Sequence, residues 1–229
     1  MNSLLYIFKI IKGYYVRYIY ANHNDVNIIK KKIKQLLKEQ DENATILNIG
    51  SGDQRFDNRI INLDIQKGEN VDIVADSKNI PLENDSIDLI ITQETFEHIQ
   101  KKDLAINECY RILKKNGIIY FQVPFTIGFH DGPNDYWRFS KDGIEEFLSN
   151  KNFKVIEKGI TTGSAVGFYR ISVEFFSIIC SGPIRFLYKP LKAMFALILY
   201  PIKFLEFWTN LSSENDRIAG GYYVIGKKK

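Results

Sequence analysis

The sequence predicts an α/β protein whose mostly parallel sheet is covered by helices. From residue 44 onward, short apolar runs alternate with polar or helix-like stretches, which is the rhythm of βαβ units. A glycine turn, Gly50-Ser51-Gly52, directly follows the first of these runs. Apolar residues make up 45% of the chain and charged residues 25%, so enough apolar surface is available for a packed core.

The totals limit the class of protein. The 229 residues suit one ordinary domain with an elaboration or a small appendage. Cys109 and Cys180 form no CxxC pair, so we expect neither a disulfide framework nor a zinc site, and no other metal site is predicted. Residues 1–20 have no basic region ahead of their apolar run and no small-residue cleavage site after it. These features favour a cytoplasmic protein, resting at most on the inner face of a membrane.

Charge is distributed unevenly along the chain. The formal net charge is +6 over residues 1–40, −7 over 41–162 and +5 over 163–229. Basic ends suit an anionic membrane surface or a nucleic acid, although solvated Lys-rich helices give the same composition. No RNA-binding motif accompanies the basic run Lys30-Lys31-Lys32, so a nucleic-acid partner is the weaker interpretation.

The first 40 residues are predicted to form two amphipathic helices that precede one larger domain at 41–229. Over residues 1–20, polar and apolar side chains fall on opposite sides at helical spacing. Over 24–39, an apolar stripe follows a capping Asn or Asp.

Seven strands and two further helices are predicted in the domain. Each strand candidate is a short apolar run bounded by polar or turn residues. The strand candidates are Ile46–Ile49, Ile60–Asp64, Val71–Ala75, Ile87–Thr92, Ile118–Val123, Phe153–Ile160 and Tyr222–Ile225. The helix candidates are 101–115, ending near Asn116-Gly117, and 140–150, beginning at Ser140.

Residues 163–212 break this rhythm and are predicted to be an apolar helical insertion. They are rich in Phe, Leu, Ile and Tyr, and no uncharged run exceeds ten residues, about half of what a bilayer span needs. Residues 183–208 combine a wide apolar face with a narrow basic edge, as a segment lying in a membrane interface does. A cap over the domain's own core and a homodimer surface are the alternatives.

Polar side chains follow the glycine turn at the ends of several strands. The turn lies at the carboxyl edge of the predicted sheet, where open α/β folds bind ligands. The second strand ends in Asp64, whose carboxylate suits a ribose diol, and the third ends beside Asp76, whose carboxylate suits a purine amine. The fourth strand runs into Gln93-Glu94. The third glycine of a dinucleotide fingerprint is missing, which disfavours a nicotinamide-dependent oxidoreductase.

Over roughly residues 44–160, the sequence resembles the class I S-adenosylmethionine-dependent methyltransferases. The glycine motif, the acids after the second and third strands and the turn before the fifth strand carry the resemblance. It implies a Rossmann-like sheet of seven strands, the last one antiparallel, with S-adenosylmethionine as cofactor. It implies cofactor-binding roles for Asn48, Gly50, Ser51, Gly52, Asp64, Ile65, Asp76, Ser77, Gln93 and Glu94.

Two positions depart from the pattern of that family. Asn48 stands where the family usually has an acid that helps to hold the cofactor's ammonium group, so we expect weaker binding there. Gln54 stands where a third glycine is often found, which is a milder change. A cofactor-fold interaction protein whose site has decayed is therefore the non-enzymatic alternative.

Catalytic candidates follow the fourth and fifth strands. The loop over 124–139 carries a histidine, acids, aromatic residues and an arginine, which are more functional groups than a plain connection needs. A structural ion pair in this loop and a packing role for the histidine after the fourth strand are the alternatives. The catalytic candidates are His130, Asp135 and His98, and the substrate-binding candidates are Tyr136, Trp137 and Arg138.

The same loop resembles a branch of these methyltransferases found in glycan and cell-envelope biosynthesis. Combined with the apolar insertion, this resemblance predicts methyl transfer to a hydroxyl or carboxyl of a glycan or lipid-linked saccharide at a membrane surface. A lipophilic small molecule and RNA are the alternative acceptors.

Overall fold

The computed structural model describes residues 19, 27–52, 54–130, 132 and 134–229. Apart from residue 19, the helix predicted over 1–20 lies outside the described residues, as does the start of the helix predicted over 24–39. The described chain forms a seven-stranded, mostly parallel sheet with helices, which confirms the predicted Rossmann-like α/β class.

The elements follow one another in βα order through the first half of the chain. They are α1 (Asn27–Lys38), β1 (Ile46–Ile49), β2 (Ile60–Asp64), β3 (Ile73–Val74), β4 (Ile87–Gln93), a 3₁₀ turn (Phe96–His98), α2 (Lys102–Ile112) and β5 (Leu113–Pro124). The second half contains α3 (Lys141–Ser149), β6 (Phe153–Thr162), α4 (Ser164–Ser181), α5 (Arg185–Ile198), a 3₁₀ helix (Tyr200–Leu205), α6 (Glu206–Thr209) and β7 (Gly221–Lys228).

The sheet has the strand order β3-β2-β1-β4-β5-β7-β6, and β7 runs antiparallel. β1 pairs in parallel with both β2 and β4, so Ile49 lies opposite Leu63 on one side and Thr92 on the other. The chain moves outward from β1 through β2 to β3 and then returns to β4 on the other side. Ligands of open α/β sheets bind at the carboxyl ends of the strands where the order reverses, which here are β1 and β4.

The centre of the sheet supplies the core. All four residues of β1 are buried, and Ile46, Leu47 and Ile49 are fully so. Parallel strands covered by helices on both faces read as continuous apolar runs, which explains why β1 was recognisable in the sequence.

One predicted boundary is wrong. The helix predicted over 101–115 ends at Ile112, and the chain enters β5 at Leu113, because backbone hydrogen bonds from Asp85 and Ser86 already draw residues 111–112 toward β4. Asn116 has a φ of +66°, and the β4–β5 register shifts between the pairs Ile87–Leu113 and Leu89–Ile118. The Asn-Gly pair therefore marks a bulge inside a strand and does not end a helix.

Other boundaries moved without changing the topology. The third strand is only two residues long, Ile73–Val74, because it lies at the edge of the sheet and pairs with β2 alone. The last strand extends over Gly221–Lys228, well beyond the predicted four residues. The predicted α3 begins at its capping residue, where the Ser140 hydroxyl accepts the amide N–H of Gly143.

The described residues form two compact units, each with its own contacts. One contains 126–128 and 161–221, and the other contains 32–125, 129–160 and 222–229. The apolar insertion predicted at about 163–212 falls within the first unit. The division of the chain at residue 40 stays a prediction.

In the helical unit, α4 and α5 pack through buried Tyr169, Val173 and Ala196, and the Tyr169 hydroxyl donates to the Ala196 carbonyl at 2.9 Å. One cation of the basic edge predicted for this segment, Lys192, forms an ion pair with Glu174 inside the protein. Within the described chain, α4 has the length and mean hydropathy of a bilayer-crossing helix, but half of it is buried inside the protein. A core helix of a soluble protein meets the same criteria.

Candidate cofactor and active site

A cavity of about 620 Å³ opens at the carboxyl ends of β1, β2 and β4. Its volume is in the range that proteins use for cofactor-sized ligands, roughly 300–1,000 Å³. Several of the residues predicted from the sequence line it: Gly50, Gly52, Asp64, Ile65, Ser77, Glu94, His98 and Tyr136.

Both glycines of the turn after β1 line this cavity. Gly50 has a φ of +69° and Gly52 a φ of +50°, which are left-handed conformations that favour glycine. At Gly50, an added Cβ would lie 2.3 Å from side-chain atoms of Thr95, whereas at Gly52 it would meet no atom within 4 Å. Gly50 is therefore required by packing against Thr95, and Gly52 leaves space beside the turn.

Asp64 is oriented by the backbone. The amide N–H of Gly52 donates to its Oδ2 at 2.9 Å, and the amide N–H of Gln66 donates to its Oδ1 at 2.9 Å. A carboxylate oxygen has two lone pairs, so each oxygen keeps an acceptor site after these bonds. The group is thus prepared to accept hydrogen bonds from a vicinal diol, as a ribose presents.

Four predicted cofactor residues do not line the cavity. Asn48 and Gln93 are buried in the sheet, where the Asn48 amide donates to Asn62 Oδ1 at 3.2 Å and Gln93 donates to Gln122 at 3.1 Å. The hydroxyl of Ser51 donates to its neighbour's carbonyl. The remaining one, Asp76, accepts the amide N–H of Lys78 and pairs with the ammonium of that residue at 3.1 Å.

Glu94 is held at the cavity by a buried polar network. Its φ is +49°, an uncommon conformation for a residue with a side chain. The Gln122 amide donates to Glu94 Oε1 at 3.1 Å, while Gln122 Oε1 accepts from Gln93 and from the Tyr120 hydroxyl at 2.9 Å. This network explains why Gln93 is buried behind the site and Glu94 lies in it.

The two histidine candidates lie together. The rings of His98 and His130 are 5.0 Å apart between centroids and nearly perpendicular. His98 Nδ1 bonds the Asn134 carbonyl, so this nitrogen carries the proton in the neutral ring and Nε2 is left as the acceptor. Of the two, His98 lines the cavity.

Asp135 and Arg138 form the ion pair that was the structural alternative in the sequence. Both guanidinium Nη atoms donate to the Asp135 carboxylate, at 2.5 and 2.6 Å, and the His130 amide N–H donates to it at 3.0 Å. Burial opposes ionisation, but hydrogen bonds from Arg138 and His130 hold the pKa of Asp135 below its usual value. Asp135 therefore orients the loop as a carboxylate.

The two aromatic candidates differ in their surroundings. Tyr136 lines the cavity and is 43% exposed. Trp137 donates from its indole nitrogen to the Ile99 carbonyl at 3.0 Å, and the Lys102 ammonium lies 3.7 Å above its ring centroid. Its ring is thus already engaged in a cation–π contact.

Glu97 was not predicted as a site residue. Its side chain is fully buried, and its backbone carbonyl accepts the amide N–H groups of Tyr136 and Trp137. Burial above all, and then the neighbouring Glu94 carboxylate, raise the pKa of Glu97 well above its usual range. The Glu94-Thr-Phe-Glu97-His98 spacing was visible in the sequence, but only the 3₁₀ turn brings Glu97 toward the loop after β5.

The residues present fit an S-adenosyl cofactor at the cavity. Asp64 offers oriented acceptors, Gly52 leaves room for close approach to the backbone, and Ile49, Leu63 and Val71 give the cavity apolar walls. Ser77, with Lys78 next to it, takes the lining position expected for Asp76.

The two glycines are expected to respond differently to alanine. Gly52→Ala should lower the free energy of unfolding by about 1–2 kcal/mol, the cost of a left-handed residue with a Cβ. Gly50→Ala should cost about 1–3 kcal/mol more, because its Cβ must displace Thr95. Urea unfolding of both variants measures this difference. Equal losses in the two variants would contradict the packing role of Gly50.

Comparisons with known proteins bear on this fold and site. A family model described as "Methyltransferase domain" matches residues 54–121. Malonyl-[acyl-carrier protein] O-methyltransferase of Methylococcus capsulatus is 37% identical over 51 residues, a stretch that covers 22% of this chain and 18% of that protein. The chain thus spans less than a fifth of the length of that curated relative.

Solved structures of low sequence identity share the fold. A phosphoethanolamine N-methyltransferase of Haemonchus contortus, in complex with S-adenosylhomocysteine, superposes with a TM-score of 0.56 at 15% identity, covering 95% of this chain and 56% of that one. The [4+2]-cyclase SpnF superposes with a TM-score of 0.54 at 15% identity, covering 87% and 80% of the two chains. The family model over residues 54–121 supports a methyltransferase domain of the type that depends on S-adenosylmethionine, and the solved structures share its fold.

Proposed function

We propose that the chain transfers the methyl group of S-adenosylmethionine to a hydroxyl or carboxyl of a glycan or lipid-linked saccharide at a membrane surface. The observation that carries the transfer is the Asp64 carboxylate, fixed by the Gly52 and Gln66 amides in a cavity that extends to His98 and Tyr136. When bound, the cofactor supplies an electrophilic methyl group on a sulfonium.

The contribution of the protein is largely positional. An in-line displacement depends on holding two reactants in one geometry, and oriented groups can supply several kcal/mol of the barrier reduction. Asp64 and the glycine turn hold the nucleoside end. Glu94, fixed by the buried glutamine network, lines the same cavity.

A hydroxyl acceptor needs a group that accepts its proton. His98 lines the cavity and its Nε2 is the acceptor nitrogen of the ring, so in this proposal His98 takes the proton. His130 packs against it, and Asp135 holds the His130 backbone. In this proposal Tyr136, as the half-exposed aromatic at the cavity, packs against the acceptor ring.

A membrane-surface acceptor is supported by the helical unit. Large apolar side chains of α5, α6 and the segments around them are exposed to solvent, to an extent unusual for a soluble monomer. The most exposed are Phe186 at 79%, Leu211 at 72%, Phe204 and Phe207 at 69% and Trp208 at 68%. The cations Arg185 and Lys189 are also exposed on α5, which suits an anionic lipid surface.

Cofactor binding and turnover are expected to separate in two variants. Asp64→Ala should weaken S-adenosylmethionine binding by about 1.5–3 kcal/mol, the cost of losing hydrogen bonds to a charged group. His130→Ala should bind the cofactor normally and turn over slowly. Calorimetric titration measures binding, and Asp103→Asn, an exposed carboxylate on α2, is the control that should bind like the parent chain.

The acceptor is tested with labelled methyl donor. Lipid-linked saccharides should incorporate label, and incorporation should fall with Asp64→Ala but not with Asp103→Asn. Label found instead on RNA or on a lipophilic small molecule would replace the saccharide as acceptor. Tight cofactor binding with no incorporation into any acceptor class would instead support a decayed site.

Membrane binding is expected to depend on the exposed apolar residues. The triple variant Phe186→Ser, Phe207→Ser, Trp208→Ser should lose co-sedimentation with anionic vesicles by more than about tenfold, because each buried aromatic contributes about 1.5–3 kcal/mol. Substitution is preferable to deletion, since α5 contributes Ala196 to the core of its unit. The control pair Leu104→Ser and Ile156→Ser removes exposed apolar residues elsewhere. Equal vesicle binding by the two sets would count against a membrane surface.

A further inference from the structure

Glu97 is a buried carboxyl group that receives no hydrogen bond from the protein. Its side chain is fully excluded from solvent, and neither carboxylate oxygen has a hydrogen-bond partner. An ionised carboxylate in such a place costs several kcal/mol unless it is paired or coordinates a metal. An apolar residue at this position would avoid that cost. The presence of an acid there therefore suggests a ligand that stabilises it.

Two imidazoles surround this carboxylate. His98 Nε2 lies 3.5 Å from Glu97 Oε1, and the His130 ring packs edge-on against His98. The His98 ring is held in its tautomer by the Asn134 carbonyl at Nδ1, which leaves Nε2 as a lone-pair donor toward Glu97. Metal-binding histidines are commonly oriented in this way, by a carbonyl on the nitrogen that does not bind the metal.

The three side chains can reach one ion. Each of Glu97, His98 and His130 offers a ligand atom, and these atoms lie within 4.8 Å of one another. Ligands at about 2.0–2.1 Å around a tetrahedral ion are about 3.3 Å apart. The 3.5 Å separation of Glu97 and His98 is already close to this value. His130 Nδ1 now lies 3.4 Å from Arg138 Nη2, so metal binding would require the partly exposed His130 ring to turn from that contact.

The charge balance around the cluster favours a cation. Glu94 and Asp135 add negative charge beside Glu97, and among the neighbouring groups Arg138 is the one that opposes it. Arg138 is already committed to Asp135 through two hydrogen bonds. A divalent ion would displace the Glu97 proton and pair with the carboxylate.

We propose that Glu97, His98 and His130 bind one divalent transition-metal cation at the edge of the cofactor cavity. Imidazole with a carboxylate suits Zn²⁺, Fe²⁺, Co²⁺ or Ni²⁺ better than Mg²⁺ or Ca²⁺. Three protein ligands leave a coordination position open, as catalytic sites do.

The open coordination position is expected to lie on the side of the cofactor cavity. His98 and Glu94 both line the cavity, so the fourth ligand is an oxygen of the acceptor. With the ion bound, His98 Nε2 would be a ligand and would no longer take the acceptor's proton. The ion would instead lower the pKa of a bound hydroxyl, whose proton would pass to solvent. This role of the ion rests on the proposed function, whereas the existence of the site does not.

Metal titration of the chelator-stripped full-length chain tests the site. Zn²⁺ should bind with a stoichiometry of one, Co²⁺ should give the visible absorption of a low-coordinate site, and Mg²⁺ should not compete. Glu97→Gln, His98→Ala and His130→Ala should each weaken Zn²⁺ binding by at least about 100-fold, the upper end of what loss of an outer-shell partner costs. Absence of Zn²⁺ binding, or undiminished binding in all three variants, overturns the proposal.

Two further variants separate this proposal from the proposed function. Asp64→Ala should lose cofactor affinity and keep Zn²⁺, while Glu97→Gln should keep cofactor affinity and lose Zn²⁺. Glu97→Gln also controls for folding, since a neutral isostere of an unsatisfied buried acid should be at least as heat-stable as the parent chain without metal. If the parent chain methylates no acceptor but Glu97→Gln still loses Zn²⁺ binding, the metal site is supported and the proposed methyl transfer is contradicted.

Discussion

The hydrogen bond from the Gly52 amide to the Asp64 carboxylate is the contact on which the proposed cofactor site depends. It joins the turn after β1 to the end of β2, two points that the parallel register of Ile49 with Leu63 brings to the same edge. Because the carboxylate is held by backbone donors, its orientation does not rely on a flexible side-chain partner. The turn itself exists because glycine tolerates the positive φ at positions 50 and 52.

A second constraint concerns two buried acids next to this site, Asp135 and Glu97, which differ in their hydrogen-bond partners. Asp135 is almost fully buried but has Arg138 and a backbone amide as partners, so it remains ionised at little cost. Glu97, which is near enough to Asp135 for their charges to interact, has no hydrogen-bond partner at either carboxyl oxygen. Two carboxylates of similar burial are therefore in opposite electrostatic states. That contrast distinguishes a residue that orients a loop from one that is suited to bind a ligand.

The fold alone leaves the reaction open. Its structural relatives include a protein named as a [4+2]-cyclase and one named as a phosphoethanolamine N-methyltransferase, both near 15% identity. Acceptor choice therefore depends on the parts that vary around the sheet. In the function proposed for this chain, those parts are the loop after β5 and the helical unit at 161–221. The exposed aromatic residues of that unit lie outside the matched segment 54–121.

The sequence by itself determined the sheet, the glycine turn and the acid at the end of β2. These are local signals: apolar runs such as Ile46–Ile49 are read directly from the chain, and Asp64 is the last residue of its strand. Tertiary structure alone decided which polar groups reach the cavity. Asp76 bonds within its own turn, Asn48 and Gln93 are consumed by amide pairs across strands, and Glu97 becomes a buried acid beside His130, 33 positions later in the chain. Such outcomes depend on side-chain direction and on partners from distant segments, neither of which a periodicity or a spacing contains.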